Sequence, residues 1–253
     1  LLKTLKILLI ILSCGLVGVG TGMLTFHRIQ QLTELPSLSE MMSGDNISSY
    51  LPRHKQEVIQ KSRSSAVKVV SLSLDEDLFM IATGTYFTMK NRYFVLTVNH
   101  GVPGECKYTK INVDGKFLSC KQFITLNLIA DYAIIEIDKI KGRDPIEISS
   151  VLPRGHQWKS ALAIMNEVYY TGYPNNTGPL TIKGEIIGYT PGGLIYLHSY
   201  AWSGASGSGV FNANGDLIGY VLAVDIGFSE LGGDVLESVV IIAPVYQIDW
   251  DII

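Results

Sequence analysis

From Ser65 to Ile253 the sequence holds no long stretch with the 3.6-residue apolar period of a helix. Instead it runs as short apolar segments, rich in β-branched and aromatic residues, separated by turn signals. Segments of this kind at this spacing predict an all-β sandwich or barrel and leave little room for a bundle or an α/β layer. The first set is 66–72, 80–89, 93–98, 107–113, 117–125 and 133–137. A polar stretch around Lys139–Arg143 follows. The second set is 167–172, 180–189, 193–198, 210–212, 217–224 and 238–243. Two sets of this size predict two packed six-stranded antiparallel β-barrels, about 65–143 and about 160–245, with the 25 glycines supplying tight turns. Pro244 ends the last strand, and a closing helix is expected over 245–252.

Residues 1–28 have a different texture. Ile7 to Phe26 is apolar and uncharged, long enough to cross a bilayer as a helix. Lys3 and Lys6 precede it, His27 and Arg28 follow it, and the small positive bias favours a cytoplasmic N-terminus. The expectation is one N-terminal transmembrane helix that leaves the rest of the chain on the non-cytoplasmic side, periplasmic or extracellular. Two rivals stand beside it. A cleaved signal peptide has a shorter apolar core. A lipoprotein signal is loosely resembled by Ile11-Leu12-Ser13-Cys14-Gly15, imperfectly at Leu12. The length of the run favours the anchor. Gly18 and Gly22 form a GxxxG pair, which chance explains in so glycine-rich a segment. Residues 29–64 read as a solvated tether, with Pro52 opening a short helix through Lys61.

A formal net charge of −3 gives no basic face and no reason to expect nucleic acid as a partner. Three cysteines are too few for a disulfide scaffold, and none has zinc-ligand spacing. Cys106 and Cys120 fall in one expected hairpin turning at Asp114-Gly115. A bridge between them requires the hairpin register to be offset by a bulge.

Three local motifs bear on chemistry. Val95-Leu96-Thr97-Val98-Asn99-His100 places a histidine at the mouth of an apolar strand. Asp131-Tyr132-Ala133-Ile134-Ile135-Glu136-Ile137 opens a buried strand with a carboxylate. Gly204-Ala205-Ser206-Gly207-Ser208-Gly209-Val210-Phe211 flanks a serine with glycines, which let the backbone approach a ligand and free N–H groups to converge. Singly, the histidine reads as ordinary and the aspartate as a turn cap, whereas a flexible-loop reading of the glycine-serine run fits poorly with the strand-like Val210-Phe211 that follows at once and the turn at Asn214-Gly215.

Together and in this order the three resemble the trypsin/chymotrypsin family. The His100 motif is similar to that family's Thr-Ala-Ala-His, with Thr97 kept and Val98-Asn99 in place of the alanines. Asp131-Tyr132-Ala133 resembles its Asp-Ile/Leu-Ala, and Gly204–Gly207 its Gly-x-Ser-Gly. The closer likeness is to bacterial and viral members and to the protease domain of periplasmic stress proteases, without their PDZ domain. There, turns like Gly172-Tyr173-Pro174 are common. The resemblance implies a chymotrypsin-like fold and a serine endopeptidase acting on protein or peptide substrates. It assigns His100 as base, Asp131 as its orienting acid and Ser206 as nucleophile. Backbone N–H groups of Gly204 and Ser206 become the oxyanion donors, and no metal or organic cofactor is expected.

The same resemblance puts Tyr200, Ala201, Tyr220, Val221 and Leu222 at the substrate, with 225–237 as a flanking loop. The substrate backbone is expected to pair with Tyr220–Val224 as an added strand. Tyr200 stands where Lys/Arg-selective members carry aspartate, and Val221 or a neighbour where glutamate-selective members carry histidine. His198 is the histidine nearest in sequence and reads as a strand-end residue. A small or medium apolar side chain is therefore the expected preference. Ala205 replaces the aspartate by which digestive members capture a freed N-terminus, so the domain is expected to be competent without cleavage. An inactive binding module on the same fold is the alternative. The Gly-x-Ser-x-Gly elbow of lipases is disfavoured by Ser208, by the reversed order of the three residues and by the absence of a following helix pattern.

Overall fold

The computed structural model describes residues 47–253 except Glu76 and residues 230–231; for 223–237 only the backbone is described. The expected membrane helix lies outside the described residues. Among those described, no helix is long and apolar enough to cross a membrane.

The first half is a sheet of β1 (Ala66–Ser73), β2 (Leu78–Met89), β3 (Arg92–Thr97), β4 (Thr109–Val113), β5 (Lys116–Ser119), β6 (Gln122–Asn127), β7 (Tyr132–Ile137) and β8 (Ile146–Glu147). Its order is β5-β4-β1-β2-β3-β7-β6, with the two-residue β8 running parallel to β2. This corrects the expectation of a closed six-stranded barrel: eight strands form an open half-barrel. The expected strand over 117–125 is two strands, broken at Cys120-Lys121. The hairpin turns are legible from local chemistry. Asp114 and Gly115 both have positive φ, as do Lys90 and Asn91, the twist that two-residue hairpins require.

The second half is the closed barrel that was expected. It consists of β9 (Glu167–Gly172), β10 (Leu180–Tyr189), β11 (Ile195–His198), β12 (Gly209–Asn212), β13 (Leu217–Ser229) and β14 (Gly232–Pro244), closed in the order β10-β11-β14-β13-β12-β9. The segment expected as a loop over 225–237 is instead a continuation of the β13–β14 ladder, paired out to Ser229 and Gly232. The C-terminal helix is also corrected. Residues 245–247 and 250–252 form two separate 3-10 turns. The residues that follow these turns, Ile248 and Ile253, join the first sheet's core, and Trp250 of the second turn meets Phe87 edge-on at 5.6 Å.

Helix α1 (Arg53–Ser65) runs past the expected end at Lys61 and is docked rather than solvated. Lys55 Nζ meets Glu167 Oε2 at 2.6 Å, Ser62 Oγ donates to Thr171 Oγ1 at 2.9 Å, and Lys61 Nζ donates to the Gly215 carbonyl at 2.9 Å. It therefore lies against the second barrel and hands the chain directly to β1. Short helices α2 (Ile148–Val151) and α3 (Gln157–Ala161) occupy the connection between the two halves.

One hydrophobic cluster spans both halves. Val67, Val69, Phe87, Phe94, Leu96 and Ile134 pack with Phe211, Leu217 and Tyr220 from the barrel. A second cluster, including Val168, Tyr170, Leu197, Val210, Val221 and Ile242, fills the barrel itself. Because close-packed interiors transmit position, the shared cluster holds the two halves in one register.

Cys106 and Cys120 are bridged, with Cα atoms 5.3 Å apart. The route differs from the expected bulge. In the β4–β5 hairpin, Lys110 pairs with Ser119, and Cys120 donates its N–H to Thr109. An extended continuation would carry Cys106 about 10 Å beyond Thr109. A 3-10 turn over Cys106–Tyr108 folds it back instead.

Candidate active site

Antiparallel pairing of β3 with β7 explains why residues 31 apart meet. Thr97 faces Ala133 at the end of that ladder, so His100 and Asp131 both emerge just beyond it. Asp131 Oδ2 lies 2.6 Å from His100 Nδ1, and Asp131 Oδ1 accepts the His100 backbone N–H at 2.9 Å. The Asp131 carbonyl accepts the Asn99 N–H at 3.2 Å. Asp131 adopts a left-handed φ of 52°, a bend that accompanies its carbonyl meeting Asn99 and its carboxylate meeting His100. Partial burial pushes its carboxyl up. The hydrogen bonds from the His100 imidazole and N–H, with the imidazole's charge, outweigh that and hold it below its ordinary value.

Ser206 comes from the barrel side, in the turn before β12. Its carbonyl accepts the Thr83 N–H at 2.8 Å, and the Thr83 carbonyl accepts the Thr97 hydroxyl at 2.7 Å. Thr97 is three residues before His100, so two short links tie the serine loop to the histidine strand. The Thr83 hydroxyl adds a bond to the Gly204 carbonyl at 2.7 Å and accepts the Tyr173 N–H at 2.9 Å. Glycine is obligatory at 207. Its φ is +88°, and a Cβ there would lie 2.0 Å from the Thr83 carbonyl oxygen.

The Ser206 hydroxyl donates to the Leu222 carbonyl at 3.0 Å. Among the described residues no hydrogen bond joins it to His100. The N–H groups of Gly204 and Ser206, on either side of Ala205, have no acceptor among the described residues. Gly204 has φ +94°, and a Cβ there would meet the Tyr173 carbonyl at 2.7 Å. Ala205 is buried in the barrel's core.

The side chains expected at the substrate divide. Tyr220 and Val221 are each 1% exposed and belong to the cores, and Ala201 is also buried. Tyr220 instead reaches across and donates its hydroxyl to the Ala130 carbonyl at 2.6 Å, one residue before Asp131. Burial, and then the charge of Asp131, push that phenol well up. The Val221 N–H and carbonyl are taken by Ser208 and Gly207. Tyr220 and Val221 thus have no backbone edge to offer a substrate strand. A register shift between Val221 and Ala223 leaves Leu222 outside the ladder, and its carbonyl faces Ser206. Tyr200 is exposed as expected, at 54%, and stacks on Trp202, 48% exposed, with ring centroids 6.3 Å apart. His198 is an exposed end residue of β11, paired across to Glu185 and Val239.

The sequence offered Gly172-Tyr173-Pro174 and Thr83–Phe87 only as marks of the resemblance and gave neither Thr83 nor the Tyr173–Asn176 turn a place in this site. A threonine within a strand carries no local signal of a partner more than a hundred residues away.

Residues 82–219, more than half of the chain, match the family described as the trypsin-like peptidase domain. A search of curated proteins by sequence finds no match. Among solved structures, the fold is similar to a serine endoprotease from Yersinia pestis, with TM-score 0.60 and 17% identity over 78% of this chain and 64% of that one. It is also similar to the active form of a protease from M. tuberculosis, with TM-score 0.59 and 17% identity over 75% of this chain and 80% of that one. A third likeness is to the HtrA-type protease AlgW with a tripeptide, with TM-score 0.58 and 17% identity over 78% of this chain and 61% of that one. The chain spans a little under two thirds of the Yersinia structure.

Proposed function

This chain belongs to the trypsin-like peptidase family, and on that premise we propose that it is a serine endopeptidase working through an acyl-enzyme on Ser206. His100 takes the Ser206 proton as Oγ attacks the scissile carbonyl. It returns that proton to the amine as the C–N bond breaks. Asp131 keeps Nδ1 protonated and stabilises the imidazolium. Water, deprotonated by His100, then cleaves the ester and restores Ser206. The Gly204 and Ser206 N–H groups take the charge on the carbonyl oxygen in both steps, each worth about 2.7–4 kcal/mol in the transition state. The observation that carries this reading is the 2.6 Å contact between His100 Nδ1 and Asp131 Oδ2.

The substrate is a protein or peptide segment in extended form. Its backbone docks along β13 from Leu222 onward, and its side chain before the cut is small or medium and apolar. The absence of a carboxylate at Tyr200 and at Ala205 supports that preference and supports activity without N-terminal processing. Ile7–Phe26 anchors the chain in a membrane with the peptidase on the non-cytoplasmic side. The length of the apolar run supports this, and so does the Cys106–Cys120 bridge, since disulfides persist in oxidising compartments.

The test is peptide-library cleavage and fluorophosphonate labelling of the full chain in detergent micelles, with Ser206→Ala as control. Cleavage and labelling by the wild type alone are expected. A second reading, an inactive binding module, is favoured by the Ser206 hydroxyl's bond to Leu222 instead of His100. Wild-type protein that is neither labelled nor able to cut any library peptide establishes that reading in place of the first.

A further inference from the structure

We propose that Asn175 is a positioning residue that sets the oxyanion hole, by holding the Ser203–Gly204 peptide in the orientation that presents the Gly204 N–H. The proposal rests on the peptidase reading above.

A trans peptide is planar, and its C=O and N–H point in opposite directions. Whatever grips the Ser203 carbonyl therefore aims the Gly204 N–H. The grip is the Asn175 backbone N–H, which donates to the Ser203 oxygen at 2.6 Å. The neighbouring donor is aimed by the same logic. The Ala205 carbonyl is taken by the Ser208 N–H at 3.1 Å and the Ser208 hydroxyl at 2.6 Å, which turns the Ser206 N–H the other way. The second grip is local to the serine loop. The first comes from a separate turn.

That turn is held in an uncommon shape. Asn175 has φ 50° and ψ 35°, and Asn176 has φ 58°. Two consecutive left-handed residues without glycine are rare, and asparagine is among the few side chains that tolerate the region. Three contacts maintain the curl. The Tyr173 N–H donates to the Thr83 hydroxyl at 2.9 Å. Thr177 closes the turn by donating its hydroxyl to the Pro174 carbonyl at 2.6 Å. Lys68 Nζ, from β1, donates to Asn176 Oδ1 at 2.7 Å. With Ala205 in place of an acidic residue, no carboxylate beside the nucleophile is available to order this region. The Tyr173–Asn176 turn of the barrel, held by Thr83 and Lys68 of the first sheet, takes that role. Loss of the Asn175 grip frees the Ser203–Gly204 peptide to rotate and point its carbonyl where the oxyanion must sit.

The test compares Asn175→Val, Asn175→Gly and Lys68→Met in the full chain, using the best-cleaved library peptide and fluorophosphonate labelling. Valine resists the left-handed region, whereas glycine enters it freely and keeps the N–H. The valine variant is expected to lose roughly 10²-fold in kcat, the cost of one oxyanion donor. Its KM should hold, its labelling should slow in parallel, and the glycine variant should stay close to wild type. A folded Asn175→Val with wild-type kcat overturns the proposal, as does an Asn175→Gly that falls equally far. If the valine variant does not fold, Lys68→Met decides. A drop in kcat at constant KM supports the proposal, and an unchanged kcat refutes it. Wild-type protein that neither cuts nor labels refutes the peptidase reading itself and the proposal with it.

Discussion

Asp131 grips His100 at two points, its Oδ2 on the imidazole Nδ1 at 2.6 Å and its Oδ1 on the backbone N–H at 2.9 Å. The backbone contact fixes where the ring starts, and the side-chain contact fixes how it turns. Asp131→Asn keeps the shape but removes the charge and the tautomer preference. A fall in kcat of roughly 10⁴-fold is expected, with the fold intact by circular dichroism. Wild-type turnover by this variant, measured on the best library peptide, rules out the assigned role.

Thr83 joins the two halves at the site through both its backbone and its hydroxyl. Thr83→Val preserves shape while leaving the Gly204 carbonyl and the Tyr173 N–H without the partners they have now. Each orphaned buried group costs about 1–3 kcal/mol. Urea unfolding should show a lower midpoint at unchanged slope, and kcat should fall with it. A midpoint equal to the wild type's would mean that the clamp contributes nothing.

Glu167 receives Lys183 and Lys55, and these bonds hold its carboxyl down at about 2 against an ordinary 4.5. The folded value lies below the unfolded one. The resulting stabilisation is therefore complete above pH 4.5 and is lost as pH falls from there toward about 2. Glu167→Gln should flatten the stability–pH curve in that window and leave its shape at neutral pH alone. Solvent around the pair keeps the effect modest. Parallel curves for the two proteins would contradict the assignment.

The Cys106–Cys120 bridge closes a loop spanning 14 residues. Cys120→Ser should lower unfolding free energy by about 3 kcal/mol, the chain-entropy value for such a loop. Dithiothreitol should destabilise the wild type and leave the variant unmoved. An equal response of both proteins to the reductant would place the bridge outside the folding equilibrium.

Much of the fold is written in short-range pattern. Residues 167–172 and 180–189 form the strands their β-branched and aromatic content predicts. Asp114-Gly115 turns where its dipeptide says it should. The order of His100, Asp131 and Ser206, with glycine at 204 and 207, is equally a property of the chain read in line. Propensity, periodicity and the need for positive φ all act within a few residues, so they survive in a linear reading.

Tertiary structure decided the rest. It left the first sheet open and closed the second. It brought Cys106 back to Cys120 through a 3-10 turn, and it withdrew Tyr220 and Val221 into the cores although their positions in the chain suggested a pocket. It also set Thr83 against Gly204 and Asn175 against Ser203. These outcomes depend on register and on the packing of side chains far apart in sequence. A one-residue slip in a strand exchanges its buried and exposed faces, and no local pattern encodes which distant partner will be waiting.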